Sequence, residues 1–259
     1  MNRLIGLIRG ILPFFAAILL QYSLITLLDI AFNTSSDIHG WDITAYDKGV
    51  MVVFLCGLFF FFWYRNTVNI RRLELPGQVF RLGSILLLGC MGIATQFAVS
   101  GMMSFLQPVF RQLFEDYSQV VDSILSHKLP VVLLYVLLIA PLAEELIFRG
   151  VIMAKLREDL PFYGANLIQA ALFGIYHWNI IQGIYAFGLG LLLGLAAMRF
   201  RSLTASVLLH TAINGASFLV RLLPNTITVV LLSTLAGALT LVGSIYLLYR
   251  RTTVSSPDE

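Results

Sequence analysis

The chain has 259 residues, of which 58% are hydrophobic and 12% charged, with a formal net charge of +3. A soluble domain carries about twice that charged fraction, so the composition excludes an ordinary water-soluble globule and points to an integral membrane protein. The small positive excess gives no sign of nucleic-acid binding, and two cysteines lying inside apolar runs, Cys56 and Cys90, argue against a disulfide framework or a thiolate metal site.

In chain order, Arg3 and Arg9 accompany an apolar stretch over 4–32. That is too long for the hydrophobic region of a secretory signal, so an uncleaved first span is expected. Further apolar segments follow at 49–64, 79–106, 130–153, 161–178, 181–198, 203–222 and 227–249. Each can cross a hydrocarbon core of roughly 30 Å as a helix, which satisfies its own backbone in lipid. Between the third and fourth, residues 110–128 read as a short amphipathic segment on the outer surface. The tail TTVSSPDE, 252–259, is polar and reads as disordered. The expected fold is all-α: a single integral membrane domain over 1–259, a polytopic helical bundle of about eight transmembrane helices, placed in the cell membrane.

Charge orients the bundle. Arg3, Arg9, Arg65, Arg71, Arg72, Arg81, Lys155, Arg157, Arg199, Arg201, Arg250 and Arg251 fall on one side. The opposite loops hold Lys48, Arg111, Lys128 and Arg221 together with Asp37, Asp42, Asp47, Glu115, Asp116 and Asp122. With positive charge inside, both termini are cytoplasmic.

The fourth segment carries the stretch APLAEELIFRG. Glu144, Glu145 and Arg149 each cost about 2.5–3.5 kcal/mol near the centre of an inserted helix, while a Val, Leu, Ile or Phe returns about 0.3–0.6 kcal/mol. The fourteen such apolar residues between 130 and 153 nearly cancel the three charges. A helix so balanced must face partners or water. Glu145 and Arg149, four apart, can pair on one face; Glu144 is left over, about 100° round the helix. An ion-paired kink beside Pro141 is the bland reading, and a functional acid the other.

Two later segments hold possible partners. FGIYHWN places Phe173 and His177 four apart, and LLHTAINGASF does the same for His210 and Asn214. One histidine on an apolar helix is ordinarily a packing residue; two, with an asparagine and a spare glutamate on neighbouring helices, suggest a site. His39 and His127 read as surface residues of outer loops. By depth, Glu144 and His210 meet in the inner half of the core at 1.5 Å per residue. His177, counted from Pro161, comes out nearer the outer face, unless the segment starts in the cytoplasm or tilts.

Glu144 can serve as a general base, His177 can share the water or protonate a leaving amine, and His210 with Asn214 offers donors for an oxyanion. Such a set suits hydrolysis at a carbonyl without a serine or cysteine nucleophile. Alternatively, a zinc ion held by His177, His210 and Glu144 would polarise the water. Sequence leaves open zinc or no cofactor.

Together EELIFRG, FGIYH and HTAIN resemble the three motifs of the CPBP intramembrane proteases, also called the Abi family, which includes the eukaryotic CAAX prenyl endopeptidase Rce1. The family pattern EExxxR, FxxxH and HxxxN or HxxxD is matched by Glu144, Glu145 and Arg149, by Phe173 and His177, and by His210 and Asn214. The resemblance covers 130–216, about a third of the chain. It implies an eight-helix fold with a catalytic core opening toward the cytosolic half. It also implies that Glu144 activates water with His177, that Glu145, Arg149 and Phe173 support the site, and that His210 and Asn214 stabilise the oxyanion. The implied activity is endopeptidase cleavage of a peptide or lipidated protein beside the bilayer, in protein processing or bacteriocin self-immunity.

Two rivals belong to other classes. A proton-coupled transporter would use intramembrane Glu, Arg and His as a relay, but its two halves usually carry paired broken helices, and here the ionisable groups cluster in the second half. A non-catalytic scaffold or immunity protein would retain the motifs as structure. Gly190 and Gly194 form GxxxG, which reads as close helix packing.

Overall fold

A computed structural model describes residues 2–39, 44–67 and 76–251. Asp42, Arg71, Arg72 and the tail 252–259 lie outside the described residues. The chain forms α1 (Asn2–His39), α2 (Ala45–Thr67), the single turn α3 (Pro76–Val79), α4 (Leu82–Leu106) and α5 (Arg111–Leu125). The fourth apolar segment is a composite of α6 (Leu129–Leu134), a π-helical stretch Tyr135–Ile139, α7 (Ala140–Glu145), a second π-helical stretch Leu146–Met153 and α8 (Ala154–Leu156). Then come α9 (Phe162–Tyr176), α10 (Ile180–Phe200), α11 (Leu203–Val220) and α12 (Ile227–Arg251). No strand occurs among the described residues.

This is the expected all-helical polytopic bundle of a multi-pass membrane protein. Among the described residues, seven helices are long and apolar enough to cross a membrane: Leu4–Phe32, Ala45–Asn66, Leu82–Leu106, Leu129–Leu156, Ile180–Phe200, Leu203–Val220 and Ile227–Arg250. The remaining apolar segment forms α9, of 15 residues, about 22 Å long and shorter than a hydrocarbon core of roughly 30 Å. Counted along α9 from Phe162, His177 lies about 22 Å from the start of the helix, so the short helix leaves it nearer the outer face on this count, as the sequence did.

The bundle turns its apolar side chains both ways. Phe60, Phe148, Phe173, Leu193 and Leu209 are fully buried, whereas Leu19, Leu82, Leu232 and Leu239 stand exposed on the outside. In lipid that outer face costs nothing, because acyl chains are as apolar as leucine. Small residues then set how close the helices come. A Cβ built on Gly190 would lie 2.9 Å from Ala170 Cα, and one on Gly174 would lie 2.7 Å from the Gly183 carbonyl oxygen. The GxxxG pair is therefore part of the α9–α10 contact.

The hairpin joining these helices is tight. His177 ends α9, and Trp178 follows with φ 54°, in the left-handed region that bulky residues rarely enter. Asn179 then caps α10, its side-chain oxygen accepting from the Gln182 N–H at 3.0 Å. Away from this hairpin, His127 departs from the reading as a plain surface group: its ring stacks on Tyr46 at 4.0 Å.

Candidate active site

Pro141 shapes the helix that carries the acids. It has no N–H, so it cannot serve the Leu137 carbonyl four residues back or, in the wider π register, the Val136 carbonyl five back. Side chains of α11 replace the missing donor. The Thr211 hydroxyl donates to the Leu137 carbonyl at 2.9 Å, and the Asn214 amide donates to the Val136 carbonyl at 2.9 Å. An unsatisfied carbonyl in a membrane interior costs several kcal/mol, so these two bonds fix α11 to the broken helix. One N–H of Asn214 is thereby committed to the backbone rather than aimed at a substrate oxygen.

Below this clamp the charges gather round one oxygen. Glu145 Oε1 accepts from Arg149 Nη1 at 2.8 Å and from His210 Nδ1 at 2.8 Å, and the side chains of Glu145 and Arg149 are fully buried. Arg149 also donates from Nη2 to the Gly190 carbonyl at 3.2 Å, and its guanidinium lies 4.4 Å from the centre of the Phe173 ring. Gln169 donates to the same Gly190 carbonyl at 2.9 Å and to Asn166 Oδ1 at 2.7 Å, and Asn166 donates to the Leu191 carbonyl at 3.0 Å. Gly194 leaves the space Asn166 occupies; an added Cβ there would collide with its Oδ1. Charge-assisted bonds of this kind offset the desolvation of a buried pair, although Glu145 Oε2 and Arg149 Nε have no hydrogen-bond partner among the described residues.

Phe173 is the apolar hub. It packs edge-on against Phe148 at 5.0 Å, His177 at 4.8 Å and His210 at 6.0 Å between ring centres. Its carbonyl accepts from His177 Nδ1–H at 2.7 Å. That bond fixes the tautomer and leaves the lone pair of a neutral ring on Nε2. Glu144 is the carboxylate outside this network. Its side chain keeps 16% of its exposure, against none for Glu145, and its Oε2 stands 3.7 Å from His210 Nε2. The gap is too long for a direct hydrogen bond. His177 lies within electrostatic reach of Glu144, His210 and Arg149.

The structure thus brings Glu144, Glu145, Arg149, Phe173, His177 and His210 into one cluster, with Asn214 one turn along α11 from His210. For zinc, the fit is poor. Among the described residues no three His, Cys, Asp or Glu side chains converge on a common metal position, and His210 Nδ1 is taken by Glu145. Sequence reasoning missed Thr211, Asn166, Gln169 and the contact between Gln21 and the Tyr176 hydroxyl. Only Pro141, seen as a kink, hinted that carbonyls above the acids would need outside donors.

With this geometry in place, residues 126–216 match the family of type II CAAX prenyl endopeptidase Rce1-like proteins. That match covers about a third of the chain and holds all three motifs, from Glu144 to Asn214. Among curated proteins, the chain is 27% identical over 106 residues to the membrane-embedded CAAX protease MroQ of Staphylococcus aureus (strain USA300), covering 39% of this chain and 43% of MroQ. It is 24% identical over 110 residues to YdiL of Bacillus subtilis (strain 168), which carries a membrane-peptidase name, covering 42% of this chain and 44% of YdiL. The matches span less than half the length of either relative. No solved structure matches the chain.

Proposed function

We propose that the protein is an intramembrane endopeptidase of the cell membrane, hydrolysing a peptide bond with water activated by Glu144. The observation that carries this reading is the division of labour between adjacent glutamates: Glu145 is fully buried with Oε1 held by both Arg149 and His210, while Glu144 is partly accessible and faces His210 Nε2 across 3.7 Å.

In the resting cluster we place protons on both nitrogens of His210. Glu144, Glu145, Arg149 and His210 then sum to zero charge, which lowers the cost of holding them in an apolar interior. A water in the gap gives its proton to Glu144 as its oxygen attacks the substrate carbonyl carbon. With Glu144 neutralised, the His210 Nε2–H is released to the tetrahedral oxyanion, whose negative charge it stabilises. Collapse breaks the C–N bond, and the proton passes from Glu144, or through His177 Nε2, to the departing amine. Glu145 and Arg149 orient His210, Phe173 holds both rings, and Asn214 fixes α11 through Val136. No step passes through a metal. A cavity of about 330 Å³ is lined by Ile18, Gln21, Tyr46, Tyr135 and Trp178 among others, Trp178 being the residue after His177.

Comparative peptidomics of membranes holding wild type or Glu144→Gln at matched abundance tests the reading. Fragments or new C-termini confined to wild type support it and reveal the substrate. Identical peptide profiles, with the variant folded and the cellular phenotype intact, overturn it in favour of a scaffold.

A further inference from the structure

A second cavity, of about 460 Å³, opens between α4, α9, α10 and α12. It plays no part in the chemistry above. Its walls are nearly all apolar, and along α10 it runs from Ile184 to Leu195, about 16 Å at 1.5 Å per residue. Tyr163 and Tyr249 line it close to the start of α9 and the end of α12. At that end sits Arg199, only 8% exposed, its guanidinium 3.8 Å from the centre of the Tyr249 ring. Arg199 Nε is buried with no hydrogen-bond partner, and among the described residues no carboxylate pairs with the side chain. A buried cation without a counter-charge is costly. The same end of the bundle carries the arginine bias that places it at the cytoplasmic face.

We propose that this groove holds one anionic glycerophospholipid, its phosphate on Arg199 and one acyl chain lying along α10. Charge decides for a lipid: an apolar helix of a partner would fill the groove and leave Arg199 unpaired, whereas a phosphate at the interface supplies the missing anion beside tyrosines suited to headgroup depth. Gly188 gives a clean probe, because it lines the groove and a Cβ built on it meets nothing within 4 Å.

Native mass spectrometry of the full chain in detergent, with phosphatidylglycerol and phosphatidylcholine supplied equally, tests the site. Wild type should retain one phosphatidylglycerol with a preference of about fivefold, the ratio that about 1 kcal/mol per basic residue gives at an anionic surface. Arg199→Gln should bring the two lipids level, and Gly188→Phe should remove retention of both. Equal retention by wild type overturns the proposal, as does undiminished phosphatidylglycerol on Gly188→Phe. A bound polypeptide that Gly188→Phe displaces in place of lipid overturns it too. Should Arg199→Gln not fold, the Gly188→Phe result decides alone.

Discussion

Replacing Arg149 with Met tests the charge network directly. The change leaves a fully buried carboxylate without its arginine, held by His210 on Oε1 and with the Ser206 hydroxyl nearby. Removing one member of a buried ion pair costs about 3–5 kcal/mol. Two features place the loss at the lower end. Glu145 and Arg149 are four apart on one helix, so they can already pair in the inserted but unpacked state, which reduces what tertiary structure adds. The Gly190 carbonyl also retains its bond from Gln169. A loss of about 3 kcal/mol corresponds to a fall in Tm of roughly 6–12 °C, at 2–4 °C per kcal/mol for a chain near this size. Tryptophan-fluorescence melting of the full chain in detergent reads it. The double variant Glu145→Gln/Arg149→Met removes the stranded charge and should recover at least half of the fall. A single variant within about 1 kcal/mol of wild type, roughly 2–4 °C, would refute the reasoning. So would a double variant no more stable than the single one.

Glu144→Gln should lower cleavage of whichever peptide the peptidomics identifies by about 10²–10⁴-fold, the usual worth of a general base. Because the Glu144 side chain is partly accessible, its Tm should stay within 2–4 °C. Gly194→Ala should destabilise by about 1–3 kcal/mol through overpacking against Asn166, while Gly188→Ala, with open space at its Cβ, should be neutral; paired melting curves separate them. Asn214→Ala should cost about 0.6–1.7 kcal/mol, the range of interhelical hydrogen bonds in a membrane. That cost should shrink when Pro141→Ala restores the N–H that can serve Val136 or Leu137, a coupling that a double-mutant cycle of Tm values measures. Equal costs in both backgrounds would show that the Asn214 bond does not answer the proline.

Much was legible in the sequence because lipid enforces simple rules. Apolar runs long enough to cross the core had to become helices, and three charges on the fourth run had to face inward. The spacing of four between Glu145 and Arg149 on a helix made their pairing readable, as was the surplus of Glu144. Spacing along one helix says nothing about another, however, and the tertiary structure alone decided that His210 shares Glu145 Oε1 with Arg149 while its far nitrogen looks toward Glu144. It also decided that Asn214 spends an amide proton on Val136. The carbonyl freed by Pro141 and the side chain that satisfies it are 78 residues apart, and only the packing of α11 against the broken helix brings them together.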